Sequence, residues 1–116
     1  MMKNATAMKR IVLAAVLAAS FSALAASGDP EAGAKKAAEK GCPTCHGANG
    51  ISVGPEFPNL AGQNADYLVA SLHHYMSGQR KNAIMTAQVQ AAKLTERDIE
   101  DIAAHFASQH GLYVKN

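Results

Sequence analysis

The chain has 116 residues, a net charge of +2 and no tryptophan, which fits one small domain with a thin apolar core. Its basic residues are scattered and do not alternate with aromatic residues, which argues against a nucleic-acid-binding surface. Beyond the N-terminal segment, no stretch is apolar enough to cross a bilayer.

The first 25 residues have the three parts of a secretory signal peptide. Its basic residues are Lys3, Lys9 and Arg10. An unbroken apolar run, Ile11–Ala19, comes next, and Ala23-Leu24-Ala25 fits the small-x-small rule for cleavage. The apolar stretch is shorter than the ~20 residues of a membrane span, so an uncleaved anchor is the less favoured alternative. We therefore predict a signal peptide at residues 1–25, cleaved after Ala25, a single small domain at residues 26–116, and export of the mature chain.

The mature chain is predicted to begin with a helix from Pro30 to about Lys40. Asp29 is a favoured N-cap, proline is favoured at the first helical position, and Gly41 stands where a C-terminal glycine is expected. Gly33 and Ala37 belong to a face of small residues that would allow another helix to approach closely.

The next segment, Cys42-Pro43-Thr44-Cys45-His46, contains the only two cysteines of the chain. This C-x-x-C-H pattern is typical of covalent haem attachment. Two intervening residues place the thiols about one helical turn apart on one face, where both can bond to the vinyl groups of one haem. His46 then lies under the macrocycle and offers a ring nitrogen to the iron. We predict one covalent haem c per chain, bound through Cys42 and Cys45, with His46 as an iron ligand.

Three other interpretations of the two cysteines are weaker. A thioredoxin-like redox pair needs a βαβ context, and no strand-like alternation is visible. A zinc site usually takes four ligands, and here a fourth is missing and the histidine is too close in sequence to fold back. A disulfide across two residues would be strained and would leave the histidine unexplained.

Residues 47–62 are rich in glycine, proline and asparagine, and we predict an irregular loop that wraps a haem edge. A helix follows, capped by Asn64 and ended by Gly78. Its apolar stripe consists of Tyr67, Leu68, Leu72, Tyr75 and Met76. Residues 79–83 are predicted to be a polar link. We also predict a short helix at residues 86–92, for which the sequence signals are weak.

The last helix is the best defined and is predicted to end near Gln109. Thr95 is its N-cap, and Asp98 stands at the third helical position. Its apolar face consists of Ile99, Ile102, Ala103 and Phe106, and we expect this face to pack on the first helix. We expect Asp98 and Asp101 to point outward. The remaining four histidines are expected on the surface: His73, His74, His105 and His110.

Together these segments resemble a class I c-type cytochrome, and more closely one half of the small di-haem cytochromes of the c-four group. The matching stretches are Cys42–Gly47, Phe57–Gln63, Tyr67-Leu68, Ser77–Met85 and Leu94–Phe106. The chain departs from that group in having a single haem motif, so a second haem would have to come from another chain. The resemblance implies an all-α class I cytochrome c fold, with three to five helices wrapped around one covalent haem and long loops.

The resemblance also implies Met85 as the sixth iron ligand. A thioether suits low-spin iron, and Met76 and Met85 are the only methionines left after the signal peptide is removed. Met76 lies on the apolar stripe and is assigned to core packing, whereas Met85 is placed at a loop end that can approach the distal face.

The family further places a backbone carbonyl, here that of Pro58, against the second ring nitrogen of the haem histidine. Leu60 is then expected to pack on the haem. Arg80 is assigned to a haem propionate, and an ordinary solvated arginine is the alternative.

The predicted function is a periplasmic electron carrier that exchanges one electron with transient redox-protein partners in a respiratory or related chain. With both axial positions filled, no small-molecule substrate binds the iron, so we expect no enzyme activity, and no stable membrane insertion of the mature chain. Signal cleavage removes three of eleven Lys and Arg residues and none of nine Asp and Glu residues, which changes the net charge from +2 to −1. Two haem propionates would make it about −3. The alternatives are a haem subunit of a larger oxidoreductase complex and, less favoured, an open-site haem enzyme or small-ligand sensor.

Overall fold

The computed structural model describes residues 28–112, and within that range the chain forms five α-helices and no strand. The helices are α1 (Pro30–Glu39), α2 (Pro43–His46), α3 (Ala65–Ser77), α4 (Ala83–Ala92) and α5 (Glu96–Ala107). The predicted all-α architecture with three to five helices is confirmed for this range. None of these five helices is long and apolar enough to span a membrane. The predicted signal peptide at residues 1–25 and its cleavage site lie outside the described residues.

Side-chain caps fix the starts of α1, α3 and α5, as the sequence predicts. The carboxylate of Asp29 accepts from the amide of Glu31 at 2.9 Å, and Asn64 accepts from the amide of Asp66 at the same distance. Thr95 and Asp98 bond each other's backbone amides in a reciprocal capping box, at 3.1 and 3.0 Å.

The start of α4 differs from the prediction. The helix begins at Ala83, three residues before the expected position, because Asn82 is its N-cap. The amide oxygen of Asn82 accepts from the backbone of Ile84 at 3.1 Å and of Met85 at 3.0 Å. The predicted polar link is therefore one residue shorter, and Met85 lies on a helix.

α1 and α5 cross closely, which confirms the predicted packing of the first and last helices. A Cβ atom added at Gly33 would overlap the carbonyl oxygen of Asp101, so only glycine fits there. Ala37 is buried and packs in one cluster with Ile102, Ala103 and Phe106 of α5, together with Leu68 of α3. This cluster is the apolar centre of the fold.

Asp101 is buried, with 2% of its surface exposed, so the prediction that it points outward is wrong. Its carboxylate accepts from the ammonium of Lys36 at 2.7 Å, the amide of Asp29 at 2.8 Å and the guanidinium of Arg97 at 3.1 Å. The hydrogen bonds from Lys36 and from the Asp29 amide hold the pKa of this carboxyl below its ordinary value. The Asp101 carboxylate of α5 is thus covered by the start of α1 and by Lys36, and its oxygens are satisfied there.

His105 is also buried, contrary to the expectation of a surface histidine. Its Nε2 lies 3.1 Å from the carbonyl oxygen of Ala48, and its ring packs against the ring of Phe106, with 4.8 Å between the two ring centroids. A carbonyl can only accept, so Nε2 carries a proton and ties α5 to the loop that follows α2.

The loop between α2 and α3 is irregular, as predicted. It docks on α5 where the amide of Gly62 donates to the carbonyl of Phe106 at 3.0 Å. Gly50 has φ of +78°, and a Cβ atom there would lie 3.0 Å from the Phe106 ring. Phe106 is therefore enclosed by the loop on one side and by α1 on the other.

We expect Phe106→Ala to lower the free energy of unfolding of the haem-loaded protein by about 3–5 kcal/mol, because it removes a buried aromatic ring from the central cluster. Urea unfolding measures this. Val53→Ala is the control, since Val53 is 65% exposed and should change stability by no more than about 0.5 kcal/mol. A loss of stability well under about 1 kcal/mol for Phe106→Ala would mean that this face is not the core.

Asp101→Asn should destabilise the protein at neutral pH and much less in acid. Because the folded-state pKa of Asp101 is lowered, its contribution is present above the ordinary pKa of about 3.9 and is lost as the pH falls through the folded value. The difference in free energy of unfolding between native protein and variant should therefore shrink below about pH 4. Glu39→Gln, an exposed change on α1, should show no such trend, and a pH-independent difference for Asp101→Asn would contradict the assignment.

Candidate haem site

One cavity brings together all the residues that the sequence analysis assigned to haem binding. It has a volume of about 650 Å³ and is bounded by α2, the loop after it, α3, α4 and α5. The predicted residues that line it are Cys42, Cys45, His46, Pro58, Leu60, Arg80 and Met85. Small-molecule sites have volumes of about 300–1,000 Å³, so the space suits one organic cofactor.

α2 is a single helical turn that presents the two thiols. Pro43 occupies its first position, where the missing N–H costs nothing. The amide of His46 donates to the carbonyl of Cys42 at 3.1 Å and closes the helical turn. Cys42 and Cys45 both line the cavity. Both thiols are free, and burial raises the pKa of the Cys42 thiol, which keeps it in the neutral form.

The same geometry bears on the disulfide and metal-site interpretations of these cysteines. Cys42 and Cys45 are not bonded to each other. In the part of the chain from residue 28 to residue 112, no three His, Cys, Asp or Glu side chains are grouped to hold a metal ion. The covalent-haem interpretation uses both thiols and the adjacent imidazole at once.

His46 has a defined tautomer. Its Nδ1 lies 2.9 Å from the carbonyl oxygen of Pro58. Because a carbonyl only accepts, Nδ1 carries a proton, so in the neutral imidazole the lone pair is on Nε2. This is the state in which an imidazole binds iron, with its second nitrogen held by an outer partner.

The loop that carries Pro58 is held by its own hydrogen bonds. The amide of Ser52 donates to the side-chain oxygen of Asn59 at 2.7 Å, and the amide of Leu60 donates to the carbonyl of Gly50 at 2.7 Å. Two crosslinks therefore flank Pro58 and fix the direction of its carbonyl. Neither Ser52 nor Asn59 was predicted as a site residue, although both residue types are common in hydrogen-bonded turns.

Met85 lines the cavity from the first turn of α4, and not from a loop end as expected. Met76, by contrast, is 42% exposed and does not line the cavity, so its predicted role in core packing is wrong. Residues one apart on a helix point about 100° away from each other, and Met76 therefore turns outward where Tyr75 faces the cavity.

α3 forms one wall with side chains at helical spacing: Tyr67, Leu68, Ser71, Leu72 and Tyr75. Arg80 lies at the edge of this wall, with Nη1 at 3.4 Å from the Tyr67 hydroxyl and 3.5 Å from that of Ser71. Its guanidinium lies 5.0 Å from the centre of the Tyr75 ring and lowers the pKa of the Tyr67 hydroxyl. Among residues 28–112 Arg80 has no carboxylate partner, so its charge is available to an anionic group.

Some residues that line the cavity were missed by the sequence analysis as site residues, notably Ser71, Asn82 and Gln88. Asn82 could have been found, since asparagine before a run of helix formers is an N-cap signal. Ser71 and Gln88 carry no comparable local signal. Their place in the site depends on how α3 and α4 pack.

The donor set fits a haem. Two free thiols lie one helical turn apart, an imidazole with a free Nε2 lies beside them, and a thioether comes from another wall. The remaining walls are largely aliphatic and aromatic, as a macrocycle requires, and one guanidinium lies at the edge.

Comparison with known proteins agrees with this geometry. The family model described as Cytochrome c matches residues 30–109. Cytochrome c4 from Pseudomonas aeruginosa is 42% identical over 103 residues, which cover 88% of this chain and 49% of that protein. Cytochrome c-554(548) from Halomonas halodenitrificans is 44% identical over 86 residues, which cover 72% of this chain and 99% of that protein.

A solved structure is also similar to this chain. The crystal structure of reduced recombinant cytochrome c4 from Pseudomonas stutzeri superposes with a TM-score of 0.65 at 42% identity, over 72% of this chain and 47% of that one. The chain thus spans about half the length of the cytochrome c4 relatives that it matches. Fold, cavity and similarity together show that this chain belongs to the cytochrome c family, with a class I fold and covalently bound haem c.

Proposed function

We propose that the chain is an exported one-electron carrier in which Cys42 and Cys45 would attach one haem, and His46 and Met85 would ligate its iron. The observation that carries this proposal is that His46 and Met85 enter the same cavity from two different helices, α2 and α4. When bound, the haem supplies an iron that changes oxidation state by one electron. Two side-chain ligands leave no open position for a substrate.

His46 and Met85 would influence the iron in different ways. The hydrogen bond from Nδ1 of His46 to Pro58 orients the ring and makes Nε2 a stronger donor. A methionine thioether on the other side favours the reduced iron and raises the reduction potential relative to a second nitrogen ligand.

Leu60 and Arg80 complete the proposed site. Leu60 packs against the central apolar cluster and also lines the cavity, so it connects the cofactor to the core. Arg80 presents its positive charge at the cavity edge, which suits a haem propionate.

The proposed partners are redox proteins that dock briefly at the cavity mouth. Tyr67 and Ile84 line the cavity and are 51% and 62% exposed, which gives the mouth a small apolar rim. A relative named thiosulfate dehydrogenase electron acceptor, from Stutzerimonas stutzeri, is 38% identical over 68 residues, which supports a redox-protein partner. Small contacts of this kind suit a carrier that must release its partner.

The proposed mature domain, residues 26–116, works in the periplasm after cleavage of the signal peptide. A second candidate is a haem subunit of a larger oxidoreductase. It is supported by the cytochrome c4 relatives, in which the matching part makes up about half of a longer chain.

Replacing both Cys42 and Cys45 with alanine should abolish covalent attachment, because no thioether can then form. On denaturing gels stained for haem, native protein should keep its stain after acid-acetone extraction, and the double variant should lose it. Thr44→Ala, which changes the cavity between the two cysteines but no thiol, should keep the stain. Loss of the stain from native protein would rule out thioether linkage.

Met85→Ala should remove the weak charge-transfer band at the red end of the oxidised spectrum, which reports sulfur ligation. Its reduced form should bind carbon monoxide faster than native protein by about tenfold or more, equivalent to a ligand bond worth at least about 1.4 kcal/mol. Met76→Ala is the matched control and should behave as native.

The opposite pattern, with the band lost in Met76→Ala and kept in Met85→Ala, would show that the wrong methionine has been assigned. Fast, stoichiometric binding of carbon monoxide by native protein at neutral pH would show an open site and favour the enzyme or sensor alternative.

A further inference from the structure

Helix α4 carries Met85 but is held only loosely by apolar packing. Val89 is its single buried residue. An apolar cavity of about 20 Å³ lies between α4 and its neighbours, lined among others by Cys42, Met85 and Leu94. Such a gap is about the size of one water molecule, and its walls offer water few polar partners. Apolar packing alone therefore does not fix the position of α4 relative to the cavity.

Two hydrogen bonds join α4 to the end of α1, and both involve Lys40. The side-chain amide of Gln88 donates to the carbonyl of Lys40 at 2.5 Å, and the ammonium of Lys40 donates to the carbonyl of Ala92 at 2.9 Å. Both bonds are partly buried. We refer to this pair of bonds as the Lys40–Gln88 clasp.

Each bond of the clasp satisfies a carbonyl that its own helix leaves without a partner. Lys40 is the C-cap of α1, and Ala92 is the last residue of α4. The last carbonyls of a helix have no intrahelical donor and carry the negative end of the helix dipole. An amide and a cation at these two positions are therefore favourable on electrostatic grounds as well.

The clasp connects the two sides of the haem cavity. Lys40 comes two residues before Cys42, and Gln88 comes three residues after Met85 on the same face of α4. Cys42, Met85 and Gln88 all line the cavity. The clasp thus links the backbone that leads into the first thiol to the helix that carries the methionine.

We propose that Lys40 and Gln88 are positioning residues that hold α4 against the cavity and thereby set how often Met85 leaves the iron. This inference rests on the proposed function, in which Met85 is an axial ligand. With the clasp broken, α4 remains a helix because its Asn82 cap is intact, but it moves away from the cavity more often.

The test uses haem-loaded protein and four variants. Gln88→Leu and Lys40→Leu each remove one donor without adding a second thioether, whereas Lys40→Arg keeps a cationic donor and should behave as native. Gln90→Leu is the matched control, because Gln90 lies on the same helix and is exposed. Met85→Ala serves as the reference for a missing ligand. The rate of carbon monoxide binding to reduced protein at saturating gas reports release of Met85.

One hydrogen bond changes an equilibrium by about two- to tenfold, so Gln88→Leu and Lys40→Leu should bind carbon monoxide about two- to tenfold faster than native protein. Lys40→Arg and Gln90→Leu should stay within about twofold of the native rate. Amide hydrogen exchange should become faster in α4 and remain unchanged in α1 and α5.

Equal rates for Gln88→Leu and Gln90→Leu, with fast binding by Met85→Ala, would overturn the clasp and leave the ligand assignment standing. Faster exchange in all helices alike would assign the clasp to general stability and overturn its positioning role. Carbon monoxide binding by Met85→Ala at the native rate would overturn both the ligand assignment and this inference.

Discussion

The crossing of α1 and α5 at Gly33 is the contact on which the rest of the structure depends. The two backbones meet without an intervening side chain, so their separation is set by main-chain atoms and not by rotamers. α1 leads from this crossing directly into Cys42 and α2, and α5 supplies Phe106 to the centre of the core. The buried carboxylate of Asp101 receives donors from both helices beside the crossing, which restricts their relative rotation.

The two sides of the haem cavity are built in different ways. On the His46 side, hydrogen bonds within one loop, from the Leu60 amide to the Gly50 carbonyl and from the Ser52 amide to the Asn59 side chain, fix the Pro58 carbonyl, which in turn orients the imidazole. On the Met85 side, side chains at the two ends of α4 take over this role, namely Asn82 at its start and Lys40 at its end. The first arrangement is rigid. The second can be adjusted by changing one side chain without disturbing the attachment of the cofactor.

How much could be predicted from the sequence depends on how local each interaction is. Asp29, Asn64 and Thr95 bond amides two or three residues away, so the starts of three helices could be read directly. The burial of Asp101 and His105 depends on Lys36 and Ala48, which are 65 and 57 residues distant, and no local pattern reports such contacts. In the site, the C-x-x-C-H motif predicted its own geometry, whereas the assignments of Pro58, Leu60 and Arg80 came only from family resemblance.

The small core has a consequence for the life of this protein in the cell. Within residues 28–112 the buried apolar residues are Ala37, Leu68, Val89, Ile99, Ile102, Ala103 and Phe106, and several of them are small. Four of them, Leu68, Ile102, Ala103 and Phe106, line a cavity far larger than any single side chain. We expect a chain that lacks its cofactor to keep too little buried surface to offset the entropy of folding. Newly made chains should then be substrates for quality-control proteases until haem is attached, so that haem supply, and not translation alone, sets how much of the protein accumulates.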